Sequence, residues 1–253
     1  MNTVMIHSYK GGSGKTLFSV NIANLLQRSF KKRVLLIEAD FSMPVFHNIF
    51  RNHNPDIYFN DYLNQTGISL EKLIYPDLEN GLGIIFCNPV FSPNDMVLTT
   101  DTKWYETVVN RLGSDLSQLE YDYVIFDLSP GKNLFTATVL LLSDKIFTIL
   151  RPDFYSVEGI KSLYRDFYSS VSRLVNKEFH IIMNQIPVHE GMTAIVDNWK
   201  ESIMQLYSNI NTFNTIDFDH STGYAVSNGN LLLELNDPTC QNILSIIYLV
   251  FTD

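Results

Sequence analysis

The fold of this chain is decided near its start by the stretch VMIHSYKGGSGKT, residues 4–16. It begins as a short apolar segment typical of a buried β-strand, and a helix-like segment, Leu17 to Leu26, follows the glycines. Glycine lets the backbone curl tightly and direct several N–H groups inward, and the next helix adds its positive N-terminal end. The pattern therefore predicts a phosphate-binding loop between a strand and a helix.

Side chains at the end of the loop extend this chemistry to a nucleoside triphosphate and its metal. Lys15 can reach the terminal phosphates, and the hydroxyl of Thr16 can bind Mg²⁺. We therefore expect ATP or a related triphosphate with Mg²⁺ as cofactors. The expected nucleotide-binding segment is Gly11, Gly12, Ser13, Gly14, Lys15, Thr16 and Leu17.

The loop departs from the general template at one position. The template has glycine five residues before Gly14, where this chain has Tyr9, and a second lysine, Lys10, follows directly. The string KGGSGKT therefore resembles the deviant Walker A motif of the ParA/MinD family of ATPases. In that family the extra lysine contacts the nucleotide of a partner subunit, so the resemblance implies this catalytic role for Lys10. Taken alone, Lys10 is more typical of an exposed loop lysine, and it is the attached GGSGKT that favours the family role.

The second predicted strand ends in carboxylates at the same sheet edge. The family has Asp-x-Asp at this first switch, and this chain has Glu38-Ala39-Asp40. A carboxylate near the γ-phosphate can orient the attacking water, and the resemblance implies this catalytic role for Asp40, with a water-mediated contact to Mg²⁺. A helix cap or a solvated turn is the alternative for Asp40. Glu38 replaces the usual Asp, which we expect to alter the outer shell of the metal.

A later apolar strand, Tyr123–Asp127, is followed by Leu-Ser-Pro and Gly131. This segment resembles a Walker B motif with the second switch. The resemblance implies that Asp127 holds Mg²⁺ through water and that the N–H of Gly131 senses the γ-phosphate.

Two later strand ends also match family positions. Asp153 opens a segment that faces the partner subunit in the family, although it is equally suited to cap the next helix. Asn184 corresponds to the asparagine that recognises the base, which implies ATP rather than GTP. Asp217 stands where relatives have a proline that shapes the base pocket, so the resemblance leaves adenine contacts near 217–219 undecided.

Strand and helix patterns alternate along the chain, and strands apolar on both faces are typical of a parallel sheet covered by helices. We predict an α/β fold with a doubly wound, mostly parallel sheet and helices on both faces, as in P-loop NTPases, in a single domain over residues 1–253. Residues 41–80 are expected to form short helices over one sheet edge. Predicted strands are Val34–Glu38, Leu82–Cys87, Tyr123–Asp127, Lys145–Leu150, Phe179–Asn184 and Asn211–Asp217, and further predicted helices are Lys103–Leu119, Asn133–Leu142, Val157–Val175 and Met192–Tyr207.

The amino-acid composition limits which binding partners are expected. The net charge of −9 argues against strong nonspecific DNA binding, which needs a basic face. The C-terminal stretch from Asn242 is apolar nearly all round and has no Lys or Arg, which favours a buried helix over a basic lipid-binding one and makes stable membrane binding unexpected. Two cysteines far apart in sequence, with a start that enters the loop directly, predict a reduced, cytoplasmic protein.

The resemblance implies an ATP-dependent homodimer that hydrolyses ATP slowly, with a partner protein accelerating turnover, used to partition or position DNA or a large assembly. Two alternatives stay open at this point. One is a nucleotide-gated scaffold with little hydrolysis, motivated by Glu38 and the altered base pocket. The other is a P-loop kinase that phosphorylates a small molecule, against which Lys10 argues. The sequence does not identify the cargo.

Overall fold

The computed structural model describes residues 1–77, 82–90, 102–169, 177–206, 210–227, 231–235 and 237–252. Within these ranges, eight strands form one sheet. Most of them are buried on both faces, as their continuous apolar sequences predict. The strands are β1 (Asn2–His7), β2 (Val34–Ala39), β3 (Tyr75–Asp77), β4 (Leu82–Ile85), β5 (Tyr123–Leu128), β6 (Lys145–Leu150), β7 (Glu178–Ile186) and β8 (Ile210–Asp217).

The sheet order is β3-β4-β2-β5-β1-β6-β7-β8. Every described pairing is parallel except that of β3 with β4. The chain winds from β1 toward β2 and β4 in its first half and toward β6, β7 and β8 in its second. This reversal beside β1 opens a crevice at the carboxyl ends of β1, β2 and β5, where open α/β sheets bind ligands.

Helices cover both faces of the sheet, so the predicted fold class is confirmed. On one face, Phe18 and Ile22 of the first helix pack with Ile243 and Ile247 of the last. On the other face, the core is built from helices in the middle of the chain. The α-helices of the described ranges are α1 (Lys15–Arg28), α2 (Phe46–Ile49), α3 (Phe59–Asn64), α4 (Thr102–Gln118), α5 (Leu134–Leu142), α6 (Phe154–Leu163), α7 (Met192–Leu206), α8 (His220–Ser227) and α9 (Pro238–Thr252).

Shorter turns complete the two layers. Leu70–Leu73 and Leu232–Glu234 form 3₁₀ turns, and Tyr164–Tyr168 continues α6 as one π-helical turn. The short helices expected over residues 41–80 are present as α2, α3 and the first 3₁₀ turn. The last helix, α9, is buried on one face only, since Leu249 on its other face is 66% exposed.

Several elements differ from the sequence prediction, most of them by one or two residues at an end. The antiparallel strand β3 was not predicted, because it has three residues and contains Pro76, which is tolerated at a sheet edge. The strand β4 ends at Ile85 rather than Cys87, because the N–H of Cys87 donates to the Glu38 carboxylate. The helix predicted over Val157–Val175 begins at Phe154 and turns π-helical after Leu163, and its last predicted residues, 170–175, lie outside the described residues.

No helix among the described residues is long and apolar enough to cross a membrane. Both cysteines, Cys87 and Cys240, are buried free thiols.

Candidate functional site

The phosphate loop joins β1 to α1 and borders a cavity of about 300 Å³ at the carboxyl edge of the sheet. Gly12 and Gly14 have φ angles of 74° and 103°, which glycine adopts without strain. Gly14 is the N-cap of α1, so the helix N-terminus opens toward the loop. The cavity is lined by the loop residues Gly11, Gly12, Gly14, Lys15, Thr16 and Leu17, and by Asp40, Ser42, Met43, Val45 and Pro130.

Lys15 and Asp40 face each other in this cavity. The Lys15 Nζ lies 3.8 Å from Asp40 Oδ2, and both side chains are nearly buried. The other carboxylate oxygen of Asp40 accepts hydrogen bonds from the N–H groups of Ser42 and Met43 and from the Ser129 hydroxyl, at 3.0 to 3.2 Å. Asp40 therefore stabilises the turn after β2 and also lies beside the phosphate loop. The turn role and the predicted catalytic role are compatible with each other.

Asp127 is buried beside the start of α1. Its Oδ2 accepts from the Thr16 hydroxyl at 2.6 Å and its Oδ1 from the Ser19 hydroxyl at 2.9 Å. Burial raises the pKa of Asp127 to about 6, an effect that the Thr16 bond and the nearby Lys15 charge partly offset. Hydroxyl and carboxylate oxygens are the ligands that Mg²⁺ prefers, so Thr16 and Asp127 fit the predicted metal.

Glu38 is placed differently from the expectation. Its carboxylate accepts hydrogen bonds from the backbone N–H groups of Val45 and Phe46 on one oxygen and of Cys87 on the other. Burial raises its pKa to about 7, although these bonds act in the opposite direction. Glu38 therefore anchors the loop before α2 to the end of β4, and its effect on the metal's outer shell stays a prediction.

Lys10 lies at the rim of the site and contacts its own chain. Its Nζ is 3.6 Å from Asp153 Oδ1 and 4.7 Å from the ring centroid of Tyr155, and its side chain is 45% exposed. Asp153 also caps α6, accepting from the N–H and the hydroxyl of Ser156. An exposed pair of this kind contributes little stability, so Lys10 is free to exchange this partner for another.

Asn184 lies against the back of the phosphate loop. Its Nδ2 donates to the Ser13 carbonyl at 2.9 Å, and a Cβ added to Gly14 would lie 2.8 Å from the same nitrogen. The side chain is therefore a support for the loop in this structure. Its role in base recognition stays a prediction, as do the effects of Asp217, which lines a separate cavity of about 250 Å³ with Ile186 and His189.

Asn184→Ala is expected to lower the free energy of unfolding of the nucleotide-free protein by about 1–3 kcal/mol, because the buried Ser13 carbonyl loses its partner. Urea denaturation measures this change. Exposed Asn52, in the turn after α2, offers a matched control, and Asn52→Ala should leave the free energy of unfolding within about 0.5 kcal/mol of wild type. Equal stability of the two variants would show that Asn184 does not support the loop.

Both backbone polar groups of Gly131 are hydrogen-bonded. Its N–H donates to the Ser8 carbonyl at 2.8 Å, and its carbonyl accepts from His7 Nε2 at 2.7 Å. Its φ of 86° requires glycine. In this arrangement the N–H that was expected to sense the γ-phosphate is already engaged, so that role stays a prediction and requires the Ser8 bond to break.

Three contributors to the site were missed by sequence reasoning. Ser19 follows Thr16 by three residues, and this helical spacing could have placed both hydroxyls on one face of α1. Ser129 lies in the segment after Asp127 and reaches Asp40. Tyr9 packs on Gly159 in the middle of α6, where an added Cβ would overlap the ring, and nothing in the sequence connects these two residues.

Comparison with known proteins gives consistent results. The family model described as AAA domain matches residues 1–181. An uncharacterized protein of Borreliella burgdorferi is 27% identical over 189 residues, covering 74% of this chain and 75% of its own length. A ParA family protein of Chlamydia trachomatis is 30% identical over 168 residues, covering 64% of this chain and 64% of its own length.

Solved structures share the fold across nearly the whole chain. An ATP complex of a McdA variant from Cyanothece has a TM-score of 0.78 and 16% identity, covering 98% of this chain and 95% of that one. MinD from Pyrococcus horikoshii OT3, complexed with Mg-ADP, has a TM-score of 0.71 and 17% identity, covering 99% and 96%.

Proposed function

The chain belongs to the AAA domain family and is of the ParA/MinD type, and from this premise we propose that it is an ATP-dependent dimerisation switch that hydrolyses ATP slowly. The observation that carries the proposal is the convergence of Lys15, Asp40 and Thr16 on one cavity beside a phosphate loop, with Asp127 hydrogen-bonded to the Thr16 hydroxyl. The McdA structure with ATP and the MinD structure with Mg-ADP support the choice of nucleotide.

Each residue has a defined task in this proposal. The loop N–H groups and Lys15 bind the phosphates, and Thr16 and Asp127 hold Mg²⁺, which supplies positive charge to the phosphate oxygens when it is bound. Lys15 leaves its contact with Asp40 for the phosphates, so Asp40 becomes free to orient a water for in-line attack. Asn184 keeps the loop in place and Leu17 closes one side of the cavity.

Dimerisation completes the site in this proposal. Lys10 exchanges Asp153 and Tyr155 of its own chain for the phosphates of the partner's nucleotide, while Asp153 and Gly131 lie at the contact. Hydrolysis removes the γ-phosphate, and the dimer then dissociates into its two subunits. A partner protein accelerates the reaction, in the cytoplasm, and the cargo is DNA or a large assembly.

The scaffold alternative was motivated in part by Glu38. Because the Glu38 carboxylate accepts hydrogen bonds from backbone N–H groups and does not line the phosphate cavity, it no longer supports this alternative. The altered base pocket remains its second motive. In the kinase alternative the γ-phosphate is transferred to a small molecule instead of to water.

Steady-state assays separate the three functions. The proposal expects Mg-ATP binding by calorimetry and slow release of free phosphate, raised by the physiological partner. Phosphate that appears on an added metabolite would indicate the kinase, and tight ATP binding with no release, with or without partners, would indicate the scaffold. Failure to bind Mg-ATP would overturn all three.

A further inference from the structure

A buried chain of hydrogen bonds leads from the wall of the phosphate cavity to the π-helical turn Tyr164–Tyr168. Pro130 lines the cavity, and the carbonyl of the next residue, Gly131, accepts from His7 Nε2 at 2.7 Å. The other ring nitrogen of His7 lies 2.7 Å from the Tyr168 hydroxyl. His7 and Tyr168 are both fully buried, so neither side chain exchanges this bond for water.

Proton positions along this chain are fixed by chemistry. The Gly131 carbonyl can only accept, so Nε2 of His7 carries the proton and Nδ1 accepts from the Tyr168 hydroxyl. Burial lowers the pKa of His7 to about 4, which keeps the ring neutral at neutral pH. One tautomer of His7 therefore forms hydrogen bonds with both Gly131 and Tyr168. Breaking either bond would leave a buried ring nitrogen of His7 without that partner.

A second connection joins the same two segments near the surface. Lys132, the residue after Gly131, donates to the Ser162 hydroxyl at 2.6 Å and pairs with Asp166 inside the π-helical turn. The Asp166 side chain is half-exposed, so water competes with Lys132 for it. We therefore expect this ion pair to couple the two segments more weakly than the buried hydrogen bonds of His7 do.

The π-helical turn has a hydrogen-bond register that differs from that of the α-helix it continues. The N–H of Ser169 donates to the Tyr164 carbonyl, five residues back, whereas an α-helix would use a carbonyl four residues back. π turns inside α-helices are frequent at functional sites. A small displacement of Tyr168 is therefore able to change the hydrogen-bond register of this segment.

We propose that His7 is a positioning residue that transmits occupancy of the phosphate cavity from Pro130–Gly131 to the π-helical turn Tyr164–Tyr168. The inference rests on the proposed binding of Mg-ATP in that cavity. Nucleotide that contacts the cavity wall displaces Gly131, and His7 follows because its buried Nε2 keeps its hydrogen bond to the Gly131 carbonyl. Tyr168 then follows His7, and the turn changes register on a surface remote in sequence from the loop.

Hydrogen–deuterium exchange of the full chain tests this path with Mg-ATP, with Mg-ADP and without nucleotide. In the wild type we expect exchange across 164–169 to change by about fivefold on Mg-ATP binding, the equivalent of one hydrogen bond. Tyr168→Phe keeps the ring but removes the donor to His7, and it should abolish most of that nucleotide-dependent change. Thr148→Val is the matched control, since it removes a hydroxyl that lies 3.4 Å from the Tyr168 hydroxyl and keeps both the Tyr168 hydroxyl and the His7 ring.

The outcomes separate transmission from simple support. A merely structural role would raise exchange across 164–169 in Tyr168→Phe by the same factor with and without nucleotide, so the nucleotide-dependent difference of the wild type would persist, and this result would overturn the inference. His7→Asn should reproduce the Tyr168→Phe result, which protects the test if one variant folds poorly. A wild type that binds Mg-ATP by calorimetry without any change across 164–169 would also overturn the inference while leaving the proposed function intact.

Discussion

Lys15→Ala is expected to weaken Mg-ATP binding by about 10- to 150-fold, the range that corresponds to losing hydrogen bonds to a charged group. Lys15 is the buried cation of the phosphate cavity, and Asp40 balances its charge in the nucleotide-free protein. Without Lys15 the triphosphate would enter a cavity whose nearest side-chain charges are the carboxylates of Asp40 and Asp127. Isothermal titration calorimetry at fixed ionic strength measures the loss.

Lys32→Ala provides the control for this first prediction, because it removes the same charge from an exposed position after α1. Its affinity for Mg-ATP should equal that of the wild type. Urea denaturation of both variants separates lost binding from lost folding. Retention of wild-type affinity by a folded Lys15→Ala variant would remove Lys15 from the nucleotide site.

Asp40→Asn is expected to lower the turnover number by about 10²- to 10⁴-fold while Mg-ATP still binds. Asparagine keeps the side-chain oxygen that accepts from Ser42 and Met43, so the turn after β2 is preserved. It loses the negative charge that would orient water and accept its proton. Phosphate release under saturating Mg-ATP measures the turnover number, and calorimetry measures binding.

Asp61→Asn is the matched control for Asp40→Asn, since Asp61 also accepts from a backbone N–H, that of Tyr58, at the start of α3. Turnover in this control should stay at the wild-type value. If Asp40→Asn retained wild-type turnover, another group would have to activate the water, and the assignment of Asp40 as catalytic would be wrong.

Sequence alone predicted the parts of this protein that depend on local pattern. The phosphate loop is continuous in sequence, and its glycines, Lys15 and Thr16 lie next to one another along the chain. Asp127 was found because it ends an apolar strand, and parallel strands present their carboxyl ends at one edge. The order of strands and helices followed from their alternation, and the parallel sheet followed from strands that are apolar on both faces.

The remaining parts depend on contacts between distant residues, which no local pattern specifies. Asn184 reaches Ser13 across 171 positions, and His7 reaches Tyr168 across 161. Glu38 was interpreted from its neighbour Asp40, whereas its partners include Cys87, 49 positions away. Side chains of this kind decide how the loop is supported, and their partners become visible only when the sheet brings them together.

We propose that ATP joins two copies of this chain through Lys10. Sedimentation velocity measures this association, with Asp40→Asn as the background so that ATP hydrolysis does not separate the two subunits. We expect a dimer with Mg-ATP and a monomer with Mg-ADP or no nucleotide, whereas Lys10→Ala in the same background should bind Mg-ATP and stay monomeric. Dimerisation of the Lys10→Ala protein at the same Mg-ATP concentration, or a background protein that stays monomeric when saturated with Mg-ATP, would rule out this mechanism.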